Sequence, residues 1–117
     1  MAGLNYKGTP TPTQVYSAAA ENGLNYDTAY NYPNPFSDKT TIRFNMDEIS
    51  EVSVRIYDSN GSLVWNRNIS AGNISYGTNN ISWDGANDSG IPASNGVYIM
   101  EIKTEKASVR KKIAIIR

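Results

Sequence analysis

Apolar and polar residues alternate in short stretches between residue 40 and the end of the chain. Every second position is apolar from residue 42 to 46 and again from 52 to 56. Because successive side chains of a strand point to opposite faces, this alternation predicts half-buried β-strands. Further apolar runs predict strands over residues 63–65, 80–83, 97–103 and 109–116.

Turn-forming residues separate these stretches. Asn60-Gly61 stands between two apolar runs, which is a strong signal for a hairpin. Residues 84–95 are crowded with Gly, Asn, Asp, Ser and Pro, which predicts a loop. Six or seven short strands and no clear helix after residue 31 predict an all-β protein, an antiparallel sandwich of about seven strands with an immunoglobulin or fibronectin type III arrangement.

The first 31 residues differ from the rest because they lack sustained alternation and carry a Thr-Pro run at residues 9–13. We predict that residues 1–31 form a linker or N-terminal extension and that residues 32–117 form the sandwich domain. The first seven residues lack the apolar core of a signal peptide. If the parent protein is exported, its signal is expected upstream.

Composition and charge exclude several classes of function. Eleven Lys and Arg residues balance eleven Asp and Glu residues, so no overall field attracts nucleic acid. No run approaches the roughly 20 apolar residues of a membrane helix, so membrane insertion is not expected. The chain has no Cys and no His, which excludes a Ser-His-Asp triad, a Cys nucleophile and a Cys/His zinc site. No catalytic residue and no cofactor are predicted.

Short motifs follow one another in a characteristic order. They are Tyr32-Pro33-Asn34-Pro35-Phe36, Thr40-Thr41-Ile42-Arg43-Phe44, Val54-Arg55-Ile56-Tyr57-Asp58-Ser59-Asn60-Gly61, Trp83-Asp84-Gly85, Gly90 and Gly96-Val97-Tyr98. In this order and spacing, residues 32–117 resemble the type IX secretion C-terminal sorting domain and its relative, the immunoglobulin-like domain of the flagellar hook-capping protein. The resemblance implies a β-sandwich appended to exported enzymes and adhesins. It also implies recognition by an outer-membrane translocon, followed by removal of the domain and attachment of the cargo to the cell surface.

Two features separate the relatives and point in different directions. The complete loop from residue 83 to 90 is more similar to the hook-capping type, whereas the basic and then apolar run over 109–117 looks like the terminus of a sorting domain. We favour the sorting role, in a secreted or surface-attached bacterial protein. The alternative is a structural or adhesion module of a cell-surface assembly, whose partners would be neighbouring domains or subunits.

The last predicted strand is the main candidate for recognition of a partner. An edge strand leaves backbone donors and acceptors free for β-augmentation, and nearby cations can orient the partner. Alternatively, the strand pairs inside the sandwich and its lysines only prevent aggregation. The predicted recognition residues are Lys111, Lys112, Ile113, Ile115 and Arg117. Residues expected to set backbone shape or to pack in the core are Pro33, Pro35, Phe36, Gly61, Trp83, Gly85, Gly90, Gly96 and Tyr98.

Two ligand-binding alternatives stay open. Asp84, Asn87 and Asp88 offer hard oxygen ligands of the kind that Ca²⁺ takes, although Asx turns explain the same composition. Carbohydrate binding would need exposed rings, and the candidates are Trp65, Tyr57 and Tyr76. Tryptophan in a sandwich more often packs in the core.

One modification site is also a candidate. Asp27-Thr28-Ala29 resembles the O-glycosylation sequence of the bacterial phylum that uses type IX export, with Thr28 as the acceptor.

Overall fold

The computed structural model describes residues 23–117. In its strands, buried and exposed side chains alternate. In strand β2 every second residue is buried, and β3 repeats this pattern. The strands are β1 (Tyr30–Tyr32), β2 (Thr40–Met46), β3 (Val52–Tyr57), β4 (Leu63–Ile69), β5 (Gly77–Trp83), β6 (Gly96–Lys103) and β7 (Ser108–Ile115), and a 3₁₀ turn spans Ala71–Asn73.

The strands form two antiparallel sheets. One has the order β1-β2-β5 and the other β4-β3-β6-β7. Their inner faces meet in one hydrophobic core, to which every strand of both sheets except β1 contributes a buried apolar residue. This arrangement confirms the predicted all-β antiparallel sandwich of seven strands.

Aromatic rings join the two sheets at one end of the core. The Trp83 ring, on β5, lies 5.9 Å from the ring of Trp65 on β4 and 6.3 Å from that of Tyr98 on β6. Phe36 packs edge-on against Trp83 at 5.5 Å. Such offset and edge-to-face pairs add to the stabilisation from buried area. Trp83 therefore connects the three-stranded sheet, the four-stranded sheet and the segment between β1 and β2.

The polar atoms of these rings are satisfied locally. Trp83 Nε1 donates a hydrogen bond to the carbonyl oxygen of Ala86 at 2.9 Å. The Tyr98 hydroxyl donates to the carbonyl oxygen of Ser94 at 2.6 Å, four residues earlier in the chain. Both bonds fix the loop between β5 and β6 against the core, because a buried donor without a partner would be costly.

The hairpin between β3 and β4 turns at Asn60-Gly61. The Asp58 carboxylate accepts hydrogen bonds from the backbone N–H groups of Asn60 and Ser62, each at 2.9 Å. Gly61 has φ of +85°, a conformation that glycine adopts without steric penalty.

Residues 23–29 form a turn that packs on the sandwich before β1 begins. Ala29 is fully buried and Leu24 is partly buried against the core. The predicted boundary between residues 31 and 32 falls inside β1, and the division into linker and domain stays a prediction, since residues 1–22 lie outside the described part of the chain. Over residues 23–117 the structure contains no helix with the length and apolar character needed to cross a membrane.

Replacing Trp83 by alanine tests the central position of this ring. Loss of a fully buried tryptophan typically costs about 3–5 kcal/mol, so we expect Trp83→Ala to lower the free energy of unfolding by this amount or to unfold the domain. Chemical denaturation followed by circular dichroism measures the change. Tyr76→Ala, at an exposed ring, is the control and should change stability by less than about 0.5 kcal/mol. Equal effects of the two variants would contradict this assignment.

Candidate functional site

The last strand, β7, has two different faces. Val109, Ile113 and Ile115 point into the core, and the last two are fully buried. Arg110 and Lys112 occupy alternate positions on the outer face and are exposed. Ile113 and Ile115, two of the predicted recognition residues, therefore contribute to the core of the folded domain, and Lys112 is available on its surface.

A short segment before β2 covers the outer edge of the second half of β7. Phe36 N–H donates to the carbonyl oxygen of Ala114 at 3.0 Å, and Ile116 N–H donates to the carbonyl oxygen of Phe36 at 3.0 Å. The Asn34 side chain accepts from Ala114 N–H at 3.0 Å and donates to the carbonyl oxygen of Lys112 at 3.2 Å. We call residues 34–36 the edge clamp. The peptide bonds before Pro33 and Pro35 are both cis.

The first half of β7 keeps an open edge. Backbone groups alternate between the two sides of an antiparallel strand, and those of Lys112 and Ala114 point away from β6 towards the clamp. The backbone of Arg110 points to the same side, where no backbone group of residues 23–117 is bonded to it. The outer edge of the backbone over about residues 108–112 is thus unpaired by residues 23–117, although the Tyr26 ring lies beside it at Lys111 and a partner strand would have to displace that ring. The clamp would have to move before a partner could pair with the rest.

Arg117 is held by the loop between β5 and β6. Its guanidinium donates to the carbonyl oxygens of Ala93 and, at 3.3 Å, Gly85. Its backbone N–H donates to the Asn95 side chain at 3.1 Å. We call these contacts the Arg117 latch. Arg117 was predicted to bind a partner, and these internal hydrogen bonds use part of its donor groups.

Lys111 makes a different internal contact. It follows Arg110 on β7 and pairs with the inward-facing Met100 of β6, so its side chain leaves the strand on the inner side. Its ammonium lies 3.9 Å from the centre of the Tyr26 ring, a cation–π distance. The turn at residues 23–29 therefore rests on the last strand.

The outer face of the four-stranded sheet carries a cluster of cations that the sequence analysis missed. We call it the basic face, and it consists of Arg55, Lys103, Arg110 and Lys112. The register places them together, because Arg55 and Arg110 both pair with Glu101, and Ile99 pairs with Lys112. The net charge of zero gives no sign of this cluster. The outward positions of the predicted β6–β7 hairpin carry three of its four cations and could have indicated it.

Glu101 is the one carboxylate that the four strands of this sheet place on the face, and it is only 6% exposed. Arg110 bonds to it at 3.0 Å, Arg55 lies at 3.9 Å, and the Tyr57 hydroxyl lies at 3.5 Å. A buried charge with several partners is compensated. The face therefore keeps a positive excess, next to an apolar strip of Val97, which is 52% exposed, and Ile99.

The predicted calcium ligands are used by the loop itself. Asp84 accepts a hydrogen bond from Ala86 N–H at 3.0 Å, and Asn87 accepts from the N–H groups of Ser89 and Ile91. The Asp88 carboxylate accepts from Asn66 on β4. These bonds explain the composition of the loop as Asx turns and loop anchors. Within residues 23–117 no group of three His, Cys, Asp or Glu residues is arranged to hold a metal ion.

The three candidate rings for sugar binding lie apart and do not form one open platform. Trp65 is 8% exposed, with the Arg67 guanidinium 5.2 Å from its ring centre, so it offers no open platform for a sugar. Tyr57 lies beside Glu101 on the basic face, and Tyr76 is exposed elsewhere.

The Thr28 hydroxyl donates to the carbonyl oxygen of Gly23 at 2.7 Å and accepts from Asn25 N–H at 3.1 Å. Its glycosylation stays a prediction.

Replacing Gly85 by alanine tests the Arg117 latch. Gly85 has φ of +77°, and an added Cβ would lie 2.8 Å from Arg117 Nη2 and 3.1 Å from Phe36 Cε2. We expect Gly85→Ala to cost about 1–3 kcal/mol of unfolding free energy, as measured by denaturation. Gly90→Ala, where φ is +84° but nothing lies within 4 Å of the added Cβ, is the control. Similar stabilities of the two variants would contradict the assigned geometry.

Hydrogen exchange tests the edge clamp. Asn34→Ala removes the acceptor for Ala114 N–H, so we expect this amide to exchange up to roughly tenfold faster. The Arg110 amide, on the open edge, should already exchange faster than that of Ala114 in the unaltered chain. Asn68→Ala, at an exposed position of β4, is the control. Unchanged exchange at Ala114 in Asn34→Ala would show that the clamp does not protect the strand.

Comparison with solved structures connects this fold to secretion and flagellar proteins. A part of PorU from Porphyromonas gingivalis, solved as a latent dimer, is 25% identical with a TM-score of 0.59, over 76% of this chain and 9% of PorU. PorZ of the same organism, described as an essential bacterial surface component of the type IX secretion system, is 26% identical with a TM-score of 0.61, over 86% of this chain and 13% of PorZ. The chain thus spans only a small share of either protein.

Hook-capping proteins share the fold. FlgD from Xanthomonas campestris is 22% identical with a TM-score of 0.51, and the match covers 74% of this chain and 59% of FlgD. No curated protein sequence matches the chain. The family model for the FlgD Ig-like domain matches residues 34–108, more than half of the chain, and ends where β7 begins. The chain therefore belongs to the FlgD Ig-like domain family.

Proposed function

We propose that this domain is a non-catalytic sorting signal of a secreted bacterial protein, recognised by outer-membrane secretion machinery that directs the cargo to the cell surface. The observation that carries the proposal is the position of the basic face. Arg110 and Lys112 lie on β7 itself, beside the open part of its edge. Backbone pairing and electrostatic orientation would then act at the same place.

The similarity to PorU and PorZ supports this role and a secreted or cell-surface location. PorZ is described as a surface component of a type IX secretion system, and the chain is 26% identical to part of it. The match covers 13% of PorZ, which fits a module that is attached to different larger proteins.

The partner surface that suits the basic face is acidic with an apolar patch at one end. Lys103 and Lys112 are exposed, and no salt bridge forms to either within residues 23–117. Val97 and Ile99 would add apolar contact beside Lys112, at the end of the face away from Lys103. Charged groups at the rim of an interface mainly raise the rate and specificity of association. We propose no catalytic role for the described residues, and we assign the buried carboxylate of Glu101 to the ion pair with Arg110 at 3.0 Å.

A structural or adhesion module is the second candidate, and one observation favours it. The family match covers residues 34–108 and does not extend past the first residue of β7. In that case the domain would space its neighbours or join a surface assembly through its faces, and the terminal residues would serve only the fold.

Charge neutralisation tests the role of the basic face without unfolding the domain. We expect Lys103→Gln/Lys112→Gln to lower surface display of a reporter fused ahead of the full 117-residue chain, in a bacterium with type IX secretion. An exposed ion pair contributes about 0.2–1 kcal/mol, so two lost pairs predict a roughly 2- to 30-fold loss if docking limits export. Deleting residues 111–117 is unsuitable because it removes Ile113 and Ile115 from the core.

The matched control neutralises two lysines outside the basic face, Lys39→Gln/Lys106→Gln. Lys39 is exposed, and Lys106 forms an exposed ion pair with Glu48 at 3.1 Å. The reporter with the control pair should reach the surface normally. Periplasmic retention of the unaltered fusion would overturn the sorting role and favour the structural module. Equal loss in both double variants would overturn the role of the basic face.

A further inference from the structure

The opposite face of the sandwich carries two exposed tyrosines beside a fixed arginine. Tyr30 and Tyr32 are the outward residues of β1, with Asn31 buried between them, and they are 41% and 74% exposed. The register places Tyr30 opposite Arg43 and Tyr32 opposite Thr41 on β2. Two residues along a strand span roughly 6.8 Å. The four side chains line one shallow depression on the outer face of the three-stranded sheet.

Arg43 is held in place by neutral groups. Its Nε donates to the Asn80 side-chain oxygen at 2.8 Å, and its Nη1 donates to the Tyr30 hydroxyl at 3.2 Å. The guanidinium carbon lies 5.9 Å from the centre of the Tyr30 ring. These contacts use two of the five N–H groups of an arginine. Residues 23–117 leave the other three available to bind a ligand.

No carboxylate neutralises this arginine. Within residues 23–117 the ion pairs are those of Arg55, Lys106 and Arg110, and none involves Arg43. A fixed guanidinium matches the planar geometry of a carboxylate or the oxygens of a phosphate group. The depression therefore combines a charge that lacks a counter-ion with rings that can stack on an apolar surface.

We propose that Tyr30, Tyr32 and Arg43 form a binding site for an acidic polysaccharide, which we call the tyrosine face. The rings would stack on the apolar faces of sugar rings, Arg43 would bind the carboxylate or phosphate of the sugar, and Thr41 would bond to hydroxyl groups. This site is independent of the sorting role, since it lies on the other sheet. It also differs from the carbohydrate platform considered above, because that platform depended on Trp65.

Single-stranded nucleic acid can also stack on aromatic rings beside arginine, but it is a poorer fit here. Its affinity depends on several phosphate contacts with Lys and Arg. On the outer face of the three-stranded sheet, Arg43 is the only cation among the strand residues. A face with a single arginine matches a ligand that places one anionic group in the binding site, as an acidic polysaccharide does.

Titration of the full-length chain with defined oligosaccharides tests this site. The probes are a tetrasaccharide of galacturonic acid, mannose 6-phosphate, and a neutral tetrasaccharide of galactose, followed by amide chemical shifts. We expect at least one acidic probe to bind, with shifts at Tyr30, Tyr32 and Arg43, and the neutral probe to bind roughly tenfold more weakly. Which acidic probe binds identifies the anionic group as a carboxylate or a phosphate.

Two variants and a matched control separate the contributions. Arg43→Gln should abolish the preference for the acidic probe, and Tyr32→Leu should weaken binding by roughly tenfold while the spectrum elsewhere stays unchanged. Tyr76→Leu, at a 72% exposed tyrosine outside the face, should have no effect. Absence of binding by both acidic probes, equal binding of the neutral probe, or shifts that centre on other residues would each overturn the proposal.

Discussion

The alternation of side chains along β7 is the constraint on which the rest of this domain depends. Ile113 and Ile115 fill the core, whereas Arg110 and Lys112 are exposed on the basic face. A strand of this kind cannot be recognised through all its side chains while the domain is folded. Any partner that binds the native state must use the outward residues and the uncovered backbone, because pulling out the isoleucines would expose the core.

The edge clamp and the Arg117 latch restrict recognition further. Together they join the end of β7 to the segment before β2 and to the loop between β5 and β6. Protected edges of this kind limit unwanted pairing between chains. In this domain the protection stops at about residue 112, so the open part of the edge and the cations of β7 coincide. The same strand thus combines protection from aggregation with a short docking site, two roles that the sequence analysis treated as alternatives.

The sandwich could be predicted from the sequence because the alternation of apolar and polar residues in a strand is a local pattern that a single sequence shows. Six predicted apolar runs correspond to β2 through β7, whereas β1 was not predicted, since the three residues of Tyr30–Tyr32 are too few to show a period. The site was less predictable. The inward direction of Ile113 follows from the alternation, but the cation–π contact of Lys111 with Tyr26 depends on a turn more than 80 residues away. The basic face needed the register of β3, β6 and β7, which local patterns do not give.

The distribution of charge explains why a neutral chain can carry two separate binding faces. Within residues 23–117 every Asp and Glu except Glu101 lies in a turn or loop, whereas Arg43, Arg55 and most other cations lie on strands. The ends of the sandwich are therefore acidic and its sheets are basic. Fields from exposed charges decay over about 8 Å at physiological ionic strength, so a partner at one sheet meets that sheet's cations with little cancellation by the distant ends. Net charge predicts the behaviour of the whole molecule in solution, but a docking partner is attracted by the face that it approaches.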